Sequence, residues 1–170
     1  VVVLEKHADF LRDFRGDTIH PSTLELMSEL GLLDRFLQRP HSQVSNIEGI
    51  VGDETLHMAD FSHLPTRAKF IAFMPQWEFL DFLSQEARKL PNFHLRMNAH
   101  ATGLLQIDGV IAGVGGEDAD GAFEISADLV IAADGRGSDM RKAAQLAVED
   151  LGAPMDVLWL RLSKRPEDNH

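Results

Sequence analysis

Two short apolar runs bracket most of this chain: Val1-Val2-Val3-Leu4 and Leu129-Val130-Ile131-Ala132-Ala133. Neither alternates with polar residues, as a strand with one wet face does. Each therefore reads as a parallel strand buried on both faces. Between and after them lie amphipathic helical segments, and buried parallel strands joined by helices imply an α/β sheet covered on both sides. A chain that opens inside a core strand, with no initiator methionine, is expected to be a piece of a longer protein.

The helical segments carry their own start and stop signals. Pro21 stands at a first-turn position, Leu24, Met27 and Leu30 recur every three residues, and Gly31 suits the far end. A second helix begins near Pro75, with Phe79, Leu80, Leu83, Ala87 and Leu90 on one stripe and Pro91 ending it. Residues 44–58 read as two strands around Gly52-Asp53, and residues 65–69 as loop. Beyond Phe93 the apolar period falls to two. Residues 104–107, 110–114 and 122–125 then form an antiparallel three-stranded meander. Asp108-Gly109 and Asp120-Gly121 are its expected type I′ turns. Ser138 caps a third helix through Ala143, Ala144 and Leu146. Residues 157–162 read as one more strand.

Composition removes several classes of function. The 170 residues carry a net charge of −11, which disfavours general binding to phosphate backbones or anionic membranes. The absence of cysteine excludes disulfide scaffolds, thiol catalysis and thiolate zinc sites. No apolar run approaches the ~20 residues of a membrane span. The chain shows no secretory or transit signal, so a cytoplasmic location is expected.

Few residues point to chemistry by themselves. Glu5 stands at the carboxyl end of the first strand, where an acidic group can accept ribose hydroxyls. Arg15 follows in a Gly-containing loop and could meet a diphosphate with two donors. Arg15-Gly16-Asp17 also spells an adhesion tripeptide, which the acidic, signal-free chain makes a poor reading. Gln76 opens the second helix beside free backbone N–H groups. Asp134-Gly135-Arg136-Gly137-Ser138 links a strand to a helix and combines an acceptor with close backbone approach. The histidine pairs 57/63 and 94/100 match no metal spacing, and no nucleophile elbow appears. Nor does G-x-G-x-x-G occur. Trp77 and Trp159 read as core or near-core aromatics.

Together these stretches resemble the FAD-dependent aromatic-ring monooxygenases of the p-hydroxybenzoate hydroxylase type. Val3-Leu4-Glu5-Lys6 is similar to the end of their second strand, and the segment from Phe14 through Arg15-Gly16-Asp17 to Leu26 to the one whose arginine contacts FAD. Pro75-Gln76-Trp77-Glu78-Phe79-Leu80 resembles a second FAD-facing helix start. The meander is similar to that fold's crossover, where Ala101 would lie by the adenine. Asp128 to Arg141, with Asp134-Gly135 at its centre, resembles the family's Asp-Gly fingerprint. The Gly-rich diphosphate loop and the later Gly-Asp fingerprint are absent.

The resemblance implies an incomplete doubly wound, glutathione reductase-like FAD/NAD(P)-binding sheet with a meander crossover. Residues 1–156 would be a partial FAD-binding domain and residues 157–170 the start of a substrate domain. It implies FAD as cofactor, held by Glu5, Lys6, Arg15, Gln76, Ala101, Asp134 and Gly135. NADH or NADPH would be co-substrate, and a hydroperoxyflavin would hydroxylate a phenol-like ring with molecular oxygen. Related FAD reductases or halogenases are the alternative, as is a non-catalytic remnant that retains no FAD. Unpaired sheet edges would favour self-association.

Overall fold

The computed structural model describes residues 1–11, 16–152 and residue 165. Arg15, Trp159 and the strand expected over residues 157–162 lie outside the described residues. The described chain divides into two compact units, Val1–Met97 and a second starting at Asn98.

In the first unit, Pro21 and Gly31 do bracket the first helix. α1 spans Pro21–Glu29 and buries Pro21, Leu24 and Met27, while Leu30 stays exposed at the helix end. The end is a Schellman motif: Gly31 has φ +68°, its N–H donates to Ser28 O, and Leu32 N–H donates to Met27 O. A short α2 (Leu33–Phe36) follows and places Phe36 at the centre of the core. α3 spans Gln76–Ala87. Its Phe82 is buried, and Phe79 and Leu83 pack beside it. Phe36 meets Phe79 edge-on at 5.6 Å and Phe82 at 5.4 Å between ring centroids. The expected stripe missed Phe82, the most buried residue of the helix. α3 also stops four residues short of Pro91.

Among the described residues, the strands of this unit form three separate sheets. β1 (Val2–Glu5) pairs in parallel with β7 (His94–Met97). β2 (Thr18–Ile19), β6 (Ile71–Phe73) and β3 (Ser42–Val44) form an antiparallel sheet in the order β2-β6-β3. β4 (Asn46–Val51) and β5 (Glu54–Asp60) form the hairpin expected around Gly52. The parallel direction of β1 agrees with its apolar run, but its burial does not. Val2 and Val3 are 42% and 39% exposed, because β7 is β1's sole ladder partner among the described residues.

The second unit is the meander with one helix. β8 (His100–Ile107), β9 (Val110–Asp118) and β10 (Gly121–Ser126) pair antiparallel in the order β10-β9-β8. Asp108 and Gly109 both have positive φ, as a type I′ turn requires. The second turn differs. It is made by Ala119-Asp120, neither with positive φ, and Asp118 Oδ1 accepts the Asp120 N–H at 2.9 Å. Gly121 is instead the first residue of β10.

The run 129–133 is a further correction: it is not a strand. No described strand supplies it with ladder hydrogen bonds, and Leu129 and Ile131 are 75% and 80% exposed. Apolar composition makes a strand only where a neighbour accepts the backbone's hydrogen bonds. α4 then spans Asp139–Ala143, with Leu146 beyond its end. The molecule is thus α/β, with antiparallel sheets beside a single described parallel pair.

Candidate functional site

The described residues among those expected at the site divide between the two units, with Glu5 closing β1 and Gln76 opening α3. In the first unit, Glu5 closes β1 opposite Met97. Its half-buried carboxylate accepts the His7 N–H at 2.9 Å, which turns the chain away from the strand. Lys6 follows, exposed. A cleft of about 500 Å³ opens between residues 8–11 and the flank of α3, lined in part by Phe10, Trp77, Asp81, Arg88 and Met97.

Gln76 is the first residue of α3, as its place after Pro75 suggests. Its backbone N–H is not free, however: Asp17 Oδ1 accepts it at 3.4 Å, across 59 residues of sequence. The Asp17 carbonyl accepts the Met74 N–H at 2.9 Å, and the next residues continue the contact as the β2–β6 ladder. Sequence reasoning missed Asp17, because a carboxylate that caps a distant helix leaves no local pattern.

The second unit holds Ala101, Asp134 and Gly135. Ala101 lies in β8 opposite Gly116. Asp134 turns its carboxylate toward the start of α4, accepting the Ser138 hydroxyl at 2.5 Å and the Met140 N–H at 3.1 Å. Ser138 Oγ in turn accepts the Arg141 N–H at 2.9 Å, so the expected helix cap is present and is itself held by Asp134. The Ser138 hydroxyl, with smaller help from backbone N–H groups, holds the Asp134 carboxyl below the usual carboxylate range; slight burial opposes it. Gly135 has φ +84°, and a Cβ built on it would meet nothing within 4 Å, so the outer side of the turn is open. A cavity of about 410 Å³ between this turn, α4 and the meander is lined by Leu104, Ile111, Val130, Met140 and Leu146 together with Asp134.

Next to this turn, His100 Nε2 lies 3.7 Å from Asp139 Oδ2, and Lys142 Nζ is 2.9 Å from the other oxygen. The Lys142 ammonium, and to a lesser degree His100, hold the Asp139 carboxyl below its usual range. Among the described residues, His57 with Glu48 and His63 with Asp60 form further histidine–carboxylate pairs, both on the surface.

An acidic residue at the end of a parallel strand and a capped, open-faced glycine turn before a helix are features of the nucleotide-binding α/β class. Residues 1–168 match the FAD binding domain family, and the chain belongs to that family. It is 30% identical over 165 residues to 6-methylpretetramide 4-monooxygenase of Streptomyces rimosus, covering 96% of this chain and 39% of that protein. It is 32% identical over 130 residues to an uncharacterized aromatic compound monooxygenase, YhjG, of Bacillus subtilis, covering 76% of this chain and 25% of that one. The crystal structure of p-nitrophenol 4-monooxygenase from Pseudomonas putida shares the fold, with a TM-score of 0.74 and 24% identity over 86% of this chain and 37% of that chain. The chain thus spans about two fifths or less of the length of these relatives.

Proposed function

We propose that this chain supplies FAD-holding segments of an aromatic-ring monooxygenase that draws its electrons from NADH or NADPH. The observation that carries this reading is the Asp134 turn. Its carboxylate is kept ionised by Ser138 and Met140, and Gly135 leaves the side facing outward clear. A dinucleotide rich in hydroxyl and phosphate groups fits such a turn, because it needs an acceptor and close backbone approach together. Glu5, Lys6 and Gln76 in the first unit and Ala101, Asp134 and Gly135 in the second are the described residues that would hold FAD. Arg15 joins them by sequence alone.

FAD, when bound and reduced, supplies the oxygen-activating chemistry that places one oxygen atom on an activated, phenol-like ring. The protein's part is binding and orientation. Glu5 and Asp134 offer acceptors for hydroxyl groups, and Gln76 offers a side-chain amide at a helix start. In this reading residues 1–156 belong to a doubly wound FAD-binding domain of the glutathione reductase type, and residues 157–170 begin the substrate domain. Support comes from the family match and from the relatives' names.

The test is made on the full-length protein. It should purify with a visible flavin band near one FAD per chain. It should also consume NADH or NADPH and oxygen in step with an aromatic product one oxygen atom heavier than its substrate. Reduced flavin that turns over without an oxygenated product would favour a reductase, and a chlorinated product a halogenase. Protein that takes up no FAD would sink the whole reading in favour of a non-catalytic remnant.

A further inference from the structure

Arg15-Gly16-Asp17 keeps a role unexplained by cofactor contact alone, because the carboxylate of its last residue is turned onto a helix. Asp17 is half-buried, accepts the Gln76 N–H through Oδ1 at 3.4 Å, and accepts the Met74 N–H through its carbonyl at 2.9 Å. The following pairs, Thr18 with Phe73 and Ile19 with Ala72, extend this double attachment into a ladder. Pro75, the N-cap of α3, offers no side-chain cap, so Asp17 does the work of a capping residue from another part of the chain.

We propose that Asp17 is a positioning residue for Gln76: by pinning the first turn of α3 to the segment that follows Arg15, it fixes where the Gln76 side chain points. The inference rests on the FAD reading for its consequence, but not for its geometry. In sequence, Asp17 stands two residues after one expected FAD contact; in space, it touches another. An acceptor on the Gln76 amide is what the role needs, and the negative charge near the helix start adds to it.

The experiment uses the full-length protein with Asp17→Ala, Asp17→Asn and Gln76→Ala. Amide exchange at Gln76 should quicken by about 2- to 30-fold in Asp17→Ala, the factor corresponding to a lost cap, and stay within about twofold of wild type in Asp17→Asn. FAD binding should weaken by a similar factor in Asp17→Ala and recover in Asp17→Asn. In a Gln76→Ala background the Asp17→Ala effect on FAD should shrink to within about twofold, since coupled residues are not additive. A merely structural Asp17 would weaken FAD equally in both backgrounds, and that result overturns the proposal. In wild type, the Gln76 amide should exchange more slowly than an amide without a hydrogen-bond acceptor; an unprotected Gln76 amide also overturns it, whether or not the variants fold. Wild-type protein that takes up no FAD refutes the cofactor reading instead.

Discussion

Asp134 shows how much a single carboxylate can organise. It holds Ser138 and Met140, and Ser138 holds Arg141, so one ionised group secures the start of α4. Its pKa is lowered in the folded state, so its contribution to stability is present above the unfolded carboxylate pKa of about 3.9 and is lost as pH falls through the lower folded value. Asp134→Asn should therefore reduce stability at neutral pH and flatten the acid limb of the unfolding curve below about pH 4. Circular dichroism against pH checks both. Gly116 is a second residue with a defined demand. A Cβ there would sit 2.5 Å from the His100 carbonyl oxygen and 2.5 Å from the Phe123 ring. Gly116→Val should cost about 1–3 kcal/mol, read as a lower urea midpoint, because the backbone oxygen cannot move away as a side chain can.

At the scale of elements, α3 is the best-anchored helix of the first unit. Arg39 reaches three of its side chains: Glu78 at 2.6 Å, Asp81 at 3.4 Å and Gln85 at 3.2 Å. Its guanidinium also lies 5.3 Å from the centre of the Phe82 ring. Arg39→Ala should lower stability by about 1–3 kcal/mol, and Arg39→Lys should recover less than half of that, since an ammonium cannot fork. Equilibrium urea unfolding measures the difference. The helix itself was legible from its stripe of apolar residues and from Pro75, because an amphipathic pattern over twelve residues is a local signal. Phe82 was not, since the direction of the core is decided by Phe36, far away in sequence. β2, β3, β6 and β7 went unread: two to four residues hold no period, and their partners alone make them strands. Residues 129–133 failed in the opposite sense, with strand composition and no described partner. The site followed the same division. Asp134, Ser138 and Gln76 were visible because turn and cap chemistry is local, whereas Asp17 acts across 59 residues.

For the molecule as a whole, charge and exposed apolar surface act against each other. The chain carries −11 at pH 7 and has a sequence pI near 5.0. Repulsion between like-charged chains fades as pH approaches that value, while Val2, Val3, Leu129 and Ile131 remain in water. Light scattering of this chain should rise to a maximum near its pI of 5.0 and fall again on either side.

The pairing of β1 with β7 bears on how the protein is made. Val2 faces His94 across the ladder, so the first strand leaves the ribosome 92 residues ahead of its partner. At roughly 5–20 residues per second, that is a delay of about 5–20 s during which this β-branched segment lacks the β7 side of its ladder. Nascent chains stalled before residue 94 should accordingly recruit holdase chaperones, and chains released after it should let them go.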